Sequence, residues 1–343
     1  MLQLEQKPGR TTIINGKEYL FFSGYSYLGL GCNESFLQLI HEGIEKFGVV
    51  YPSSRISNTP LQLYSEFEHA LAQLTNTEAS AVFSSGFLSA RTATQVVAEE
   101  MKVYYRYPAH PASSHHHQAM YIENSWDDFL DEKRKANEFK FGLLADSINP
   151  TPGRFTDFSF LQNLPKEFKI VLIIDDSHGI GWLGAKGEGI VSRLQLPSNV
   201  ELLLNFSLSK AFHLNAGAVC GSPYWIDKAK QHVNFTTSTP PMPALAHAFM
   251  NGASIFQQQR LLLHKNIQYL QNLISNSTFA ASEGTPVFVI KKESVAPYLL
   301  KNNVLISSFG YPRPENNAVN RVVVNALHLK SDLEKLVQLI EQL

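Results

Sequence analysis

Two uninterrupted apolar runs, Ile170-Val171-Leu172-Ile173-Ile174 and Leu202-Leu203-Leu204, constrain this chain more than any other feature. A strand with one wet face alternates apolar and polar residues, whereas an unbroken run suits a strand buried on both sides. The flanking pattern agrees. Thr59-Pro60 reads as an N-cap followed by a first-turn proline. Leu63, Phe67, Leu71 and Leu74 then recur at helical spacing. Ala81-Val82-Phe83 reads as a short strand entering the turn Ser84-Ser85-Gly86-Phe87. Helical and strand signals alternate from there to about residue 225, which predicts an α/β fold: a mostly parallel sheet with helices on both faces.

Thr239-Pro240-Pro241-Met242-Pro243 interrupts the alternation and predicts passage, through a long helix over about 244–275, into a smaller α/β domain. Strands over 286–290 and 321–324 follow. Ser331-Asp332-Leu333-Glu334 then reads as a capping box, ahead of a helix with Leu333, Leu336, Val337 and Ile340 on its apolar face. The expected division is an N-terminal arm over 1–35, a large domain over 36–239, and the long helix with a small domain over 240–343.

The 343 residues allow an ample core, and a formal net charge of -1 gives no support for general polyanion binding, nucleic acid included. Cys32 and Cys220 are too few for a disulfide scaffold and point to a reducing cytoplasm. The first residues lack the apolar core of a signal peptide, and no apolar run nears the roughly 20 residues that span a bilayer.

Each buried run ends in residues that carry chemistry. The first is followed by Asp175-Asp176-Ser177-His178-Gly179, the second by Asn205-Phe206-Ser207-Leu208-Ser209-Lys210. In an open parallel sheet ligands bind beyond the carboxyl ends of the strands. Together the segments offer an amine for a Schiff base, an acid for a pyridinium nitrogen, an imidazole, and hydroxyls for a phosphate, the set that pyridoxal 5'-phosphate (PLP) requires. Gly86, after Ser84 and Ser85, would open a helix whose first amides face an anion. Alternatives remain open from the residues alone. Asp175 could cap a helix, and Asp175, Asp176 and His178 could ligate a metal. Ser207 to Lys210 matches the Ser-x-x-Lys of serine acylases, although the companion Lys-Thr-Gly and Ser-Asp-Asn motifs are missing.

From about Phe21 onward the chain resembles the α-oxoamine synthases, PLP-dependent enzymes of fold type I. The resemblance rests on Tyr27-Leu28-Gly29-Leu30, Ser53-Ser54-Arg55, Ser84-Ser85-Gly86-Phe87, Asp175-Asp176-Ser177-His178-Gly179, Gly187 and Gly189, Ser207-Leu208-Ser209-Lys210, Ser238-Thr239 and Arg321. It implies that Lys210 holds PLP through its amine and shuttles the substrate Cα proton. Asp175 would pair with the ring nitrogen and His178 with the ring hydroxyl oxygen, with Ser177 beneath the ring. Ser85, the amides of Gly86 and Phe87, and Ser207 would hold the phosphate, which Thr239 would reach from a neighbouring subunit of a homodimer. Arg321 would clamp the amino-acid carboxylate. His110 is the first choice for an imidazole stacked on the ring, His115 the second. The implied reaction is acyl transfer from an acyl thioester to an amino acid with decarboxylation, as in 8-amino-7-oxononanoate synthases, which use alanine and a pimeloyl thioester. Other fold-type I chemistry (aminotransferase or lyase) and a non-catalytic binding protein are the rival readings.

Departures fall on the substrate side. Tyr25 stands where the family has an asparagine, Lys210-Ala211-Phe212-His213 replaces a glycine-rich run, Tyr64 replaces a histidine, and Asp146 replaces a glutamate.

Overall fold

The structure is a computed structural model that describes residues 2–107, 109–114, 119–149, 153–274, 279–281, 284–310 and 315–343. His115 lies outside the described residues.

A seven-stranded sheet forms the body of the molecule. Its order is Ala79–Phe83, Gly217–Gly221, Val200–Ser207, Lys169–Asp175, Lys140–Asp146, Val103–Tyr105 and Ala119–Tyr121. All neighbours are parallel except Gly217–Gly221, which runs antiparallel to both of its partners. The unbroken apolar runs are explained by what they touch. Along Lys169–Asp175, Ile170, Leu172 and Ile174 pack into one hydrophobic cluster, while Val171 and Ile173 pack into the cluster on the opposite face. With both faces dry, neither can tolerate polar side chains.

A second, six-stranded sheet has the order Thr11–Ile14, Lys17–Phe22, Val304–Gly310, Ala318–Val323, Val287–Ile290 and Phe279–Ala281. The first two strands come from the segment read in sequence as an arm. Leu20 pairs with Val304 in parallel register, and the His328 imidazole and Phe21 carbonyl meet at 3.0 Å. Arg10 Nε donates to Asp332 at 2.8 Å, tying the same segment to the last helix. Among the described residues no helix is long and apolar enough to cross a membrane.

Three helix boundaries differ from the sequence reading. The helix expected after a Thr59 cap begins instead at Gln62, because the Thr59 carbonyl is engaged by the Tyr51 hydroxyl in the preceding loop. The long helix over about 244–275 is two helices, Pro243–Asn251 and Ala253–Leu273, broken at Gly252. A Cβ there would meet the Phe256 ring and the Ala248 carbonyl. The last helix, Lys330–Glu341, is capped from Leu329 and not from Ser331, and the reciprocal bond comes from Asp332 Oδ2 accepting the Leu329 N–H at 2.8 Å.

Candidate active site

The strand geometry places chemistry at one end of the large sheet. Asp146 and Asp175 are the last residues of adjacent parallel strands and are register partners, and Ser207 ends the next strand along. Ala79–Phe83 points the same way and leads directly into the helix Gly86–Ala98. Where these ends meet lies a cleft of about 270 Å³ lined by Ser85, Gly86, Phe87, His110, Asp146, Asp175, Ser177, His178, Ser207, Ser209 and Lys210, with Ala112, Asn215 and Ala216 completing it. Segments more than a hundred residues apart therefore converge at the carboxyl ends of a parallel sheet, where ligands of such folds bind.

One side of the cleft is suited to an anion. Ser85 caps the helix by accepting the Leu88 N–H at 3.2 Å, which leaves the first helical amides at Gly86 and Phe87. Gly86 lies so close to Ser207 that a Cβ there would collide with its side chain and backbone. The Ser207 hydroxyl shares a hydrogen bond with Ser209 at 2.7 Å, and the Ser207 amide donates to Ser177 Oγ at 2.8 Å. Two hydroxyls and a helix N-terminus thus converge, a donor set that matches a phosphate group.

The other side holds the ionisable groups. Burial pushes the Lys210 ammonium below the ordinary lysine range, against the opposing pull of Asp175 and Asp146. Burial, reinforced by Asp175, pushes Asp146 up to about 8. Asp175 is buried, and its Oδ1 accepts the Ser177 N–H at 2.9 Å, which fixes the carboxylate at the mouth of its strand. Burial takes His178 well below the usual histidine range, with Lys210, Arg321 and His110 adding to the effect. His110 sits at the exposed rim, its backbone N–H donating to Asp146 Oδ1 at 3.2 Å; desolvation lowers its pKa, with Asp175 opposing.

Asp176 points away from the cleft. Its Oδ2 accepts the Ile190 N–H at 2.9 Å, pinning the turn that follows, and burial pushes it up to about 7. Among the described residues no group of three or more His, Cys, Asp or Glu could hold a metal.

Nine of the eleven residues singled out in the sequence line this one cleft: Lys210, Asp175, His178, His110, Ser85, Gly86, Phe87, Ser177 and Ser207. Thr239 and Arg321 do not. Thr239 is exposed outside it. Arg321 is only 1 % exposed, with its guanidinium 4.7 Å from the Phe309 ring and 5.6 Å from that of Tyr25. It is nonetheless near enough to depress His178. The sequence alone assigns no role to Asp146, Ser209 or Tyr27. Asp146 carries the same signal as Asp175, an acid closing an apolar run, Phe141-Gly142-Leu143-Leu144-Ala145. Tyr27 OH lies 2.8 Å from His178 Nδ1, a contact across 151 residues that no local pattern announces.

Comparison with known proteins matches residues 27–340 to the aminotransferase class I and II family. The 8-amino-7-oxononanoate synthase of Thermosipho melanesiensis is 26 % identical over 365 residues, 99 % of this chain and 92 % of that protein. The enzyme of the same name from Lysinibacillus sphaericus is 27 % identical, over 96 % of this chain and 90 % of that one. Among solved structures, serine palmitoyltransferase from S. paucimobilis, with bound PLP and myriocin, superposes with a TM-score of 0.85 at 15 % identity, covering 100 % of this chain and 92 % of that chain. The 8-amino-7-oxononanoate synthase of Francisella tularensis superposes at 0.72 with 20 % identity, over 94 % and 97 % of the two chains. At these identities the superpositions speak to the fold.

Proposed function

This chain belongs to the aminotransferase class I and II family as a PLP-dependent enzyme related to the α-oxoamine synthases, and on that premise we propose that it joins an amino acid to an acyl thioester with loss of carbon dioxide. The observation that carries the reading is the cleft itself: a lysine with a lowered pKa, two strand-end acids (Asp175 buried, Asp146 half-buried) and a hydroxyl-lined helix N-terminus in one space.

The residues present fit the cofactor. Lys210 would carry its aldehyde, Asp175 its ring nitrogen, His178 its ring hydroxyl oxygen, and Ser85, Ser207 and the amides of Gly86 and Phe87 its phosphate. PLP supplies an electron sink for charge developing at the substrate Cα. The rest falls to the chain. An amine desolvated as Lys210 is spends more of its time neutral near pH 7, and so can accept the Cα proton and return it. His110 at the rim would cover the reacting atoms, with Ser177 beneath them. Arg321 would pair with the amino-acid carboxylate, and the aromatic rings around it keep water from competing for the guanidinium. The relatives carry the name 8-amino-7-oxononanoate synthase, and the family resemblance makes alanine and a pimeloyl thioester the first pair to test.

A thioester and amino-acid panel tests this. PLP-loaded protein is expected to release one thiol and one carbon dioxide per aminoketone formed, only when both substrates are present, and Lys210→Ala should abolish the release. Conversion of PLP to pyridoxamine phosphate by an amino acid alone would mark an aminotransferase instead. A cofactor-bound protein inert to every pair would mark a binding protein.

A homodimer is part of the same proposal. It is supported by Phe87, 55 % exposed at the lip of the cleft, and by Thr239, exposed where a neighbouring subunit's cofactor could be met. Light scattering should give twice the chain mass, and a monomer would overturn it.

A further inference from the structure

We propose that Tyr27 is a positioning residue that decides which ring nitrogen of His178 carries the proton, so that the nitrogen facing the cleft is a hydrogen-bond donor. The geometry begins at the turn that delivers Tyr27. Its carbonyl accepts the Ala326 N–H at 2.9 Å, and Gly29 at φ 65 turns the chain into a short 3-10 helix. The phenol is thereby anchored to the small sheet's end of the molecule while its hydroxyl reaches His178, which lines the large sheet's cleft. There the Tyr27 oxygen lies 2.8 Å from His178 Nδ1.

The direction of that bond follows from hydrogen-bond accounting. Tyr27 is 1 % exposed, and among the described residues His178 is the one hydrogen-bond partner of its hydroxyl. If Nδ1 donated, the buried phenolic O–H would be left unmade, at a cost of about 1–3 kcal/mol. If Tyr27 donates, both groups are satisfied with one bond. Nδ1 is then the acceptor, and the single proton of a neutral imidazole must sit on Nε2. Burial and the neighbouring Tyr25 raise the phenol well above its ordinary range, so the proton stays on oxygen; burial and the surrounding cations keep the imidazole neutral.

The residue is also held in place. The Trp182 indole N–H donates to the His178 carbonyl at 2.6 Å, and the Tyr25 ring meets the imidazole edge-on at 4.8 Å. A flipped ring would present a carbon to Tyr27 in place of Nδ1. His178 lines the cleft, and Nε2 has no partner among the described residues. What the cleft offers at this point is therefore a donor for a ligand oxygen, and that the oxygen belongs to PLP rests on the function proposed above.

The protonation state can be read directly. Protein labelled with nitrogen-15 at histidine, as purified and after PLP loading, is examined by two-bond proton–nitrogen correlation at neutral pH, with His178 assigned by the peak lost in His178→Gln. The expected pattern is a bare Nδ1 and a protonated Nε2. In Tyr27→Phe the preference should be lost or reversed, and PLP affinity should fall about tenfold, the effect of one misplaced hydrogen bond. A wild-type protein with Nδ1 protonated would overturn the proposal, and that spectrum decides even if Tyr27→Phe misfolds. So would a folded Tyr27→Phe protein that keeps the wild-type pattern. Failure of PLP to bind, with the expected tautomer present, would sink the proposed function and leave the positioning role of Tyr27 standing.

Discussion

The carboxylate of Asp175 is buried at the end of a central strand, held by the Ser177 amide and sharing the cleft with Lys210. Such a carboxylate against a pyridinium at contact distance is worth roughly 4 kcal/mol at an effective dielectric near 20. Asp175→Asn should therefore lower turnover by orders of magnitude while PLP is still retained, as measured by kcat beside the absorbance of bound cofactor; unchanged turnover would refute the role. Asp146 gives a pH signature of its own. Its folded pKa is raised from 3.8 to about 8, so the folded chain keeps a proton that the unfolded chain has released. Stability must then fall as pH climbs through that window. Urea unfolding of PLP-free protein should show Asp146→Asn gaining on the wild type from pH 4 to about 8 and holding a constant lead above it. A difference that is flat with pH would contradict this.

The helix Gly86–Ala98 and the strand end at Ser207 approach so closely that only glycine fits between them. Gly86→Ala should cost about 1–3 kcal/mol from overpacking and should also weaken PLP binding, because the amides and hydroxyls can no longer converge. Urea midpoints and cofactor titration measure the two effects; intact PLP affinity would show that the phosphate sits elsewhere. At this scale the sequence was readable where a rule is local. The strand ends at Asp175 and Ser207 and the Ser85 cap follow from short runs of residues. Element boundaries were missed where a distant group intervenes. Ser331 has the right chemistry for a cap, yet the helix starts from Leu329 because Asp332 supplies the reciprocal bond while Arg10 holds it from 322 residues away. The break at Gly252 likewise depends on the Phe256 ring packed against it.

For the molecule as a whole, the two N-terminal strands are the least legible part, since their partner strand lies some 280 residues downstream. Removing residues 1–22 should expose the edge of Val304–Gly310 and uncover core around Phe22, giving aggregated protein by light scattering. A soluble, PLP-binding truncation would show that those strands are dispensable. The site reads better than its surroundings because its residues cluster at strand ends, whereas Tyr27 meets His178 only where the two sheets approach, and the aromatic bracket around Arg321 draws Tyr25 from the far end of the chain. Borohydride reduction of PLP-loaded protein followed by peptide mass spectrometry tests the central claim most directly. A single phosphopyridoxyl adduct on Lys210 is the predicted result. An adduct confined to another lysine, or none, would contradict it.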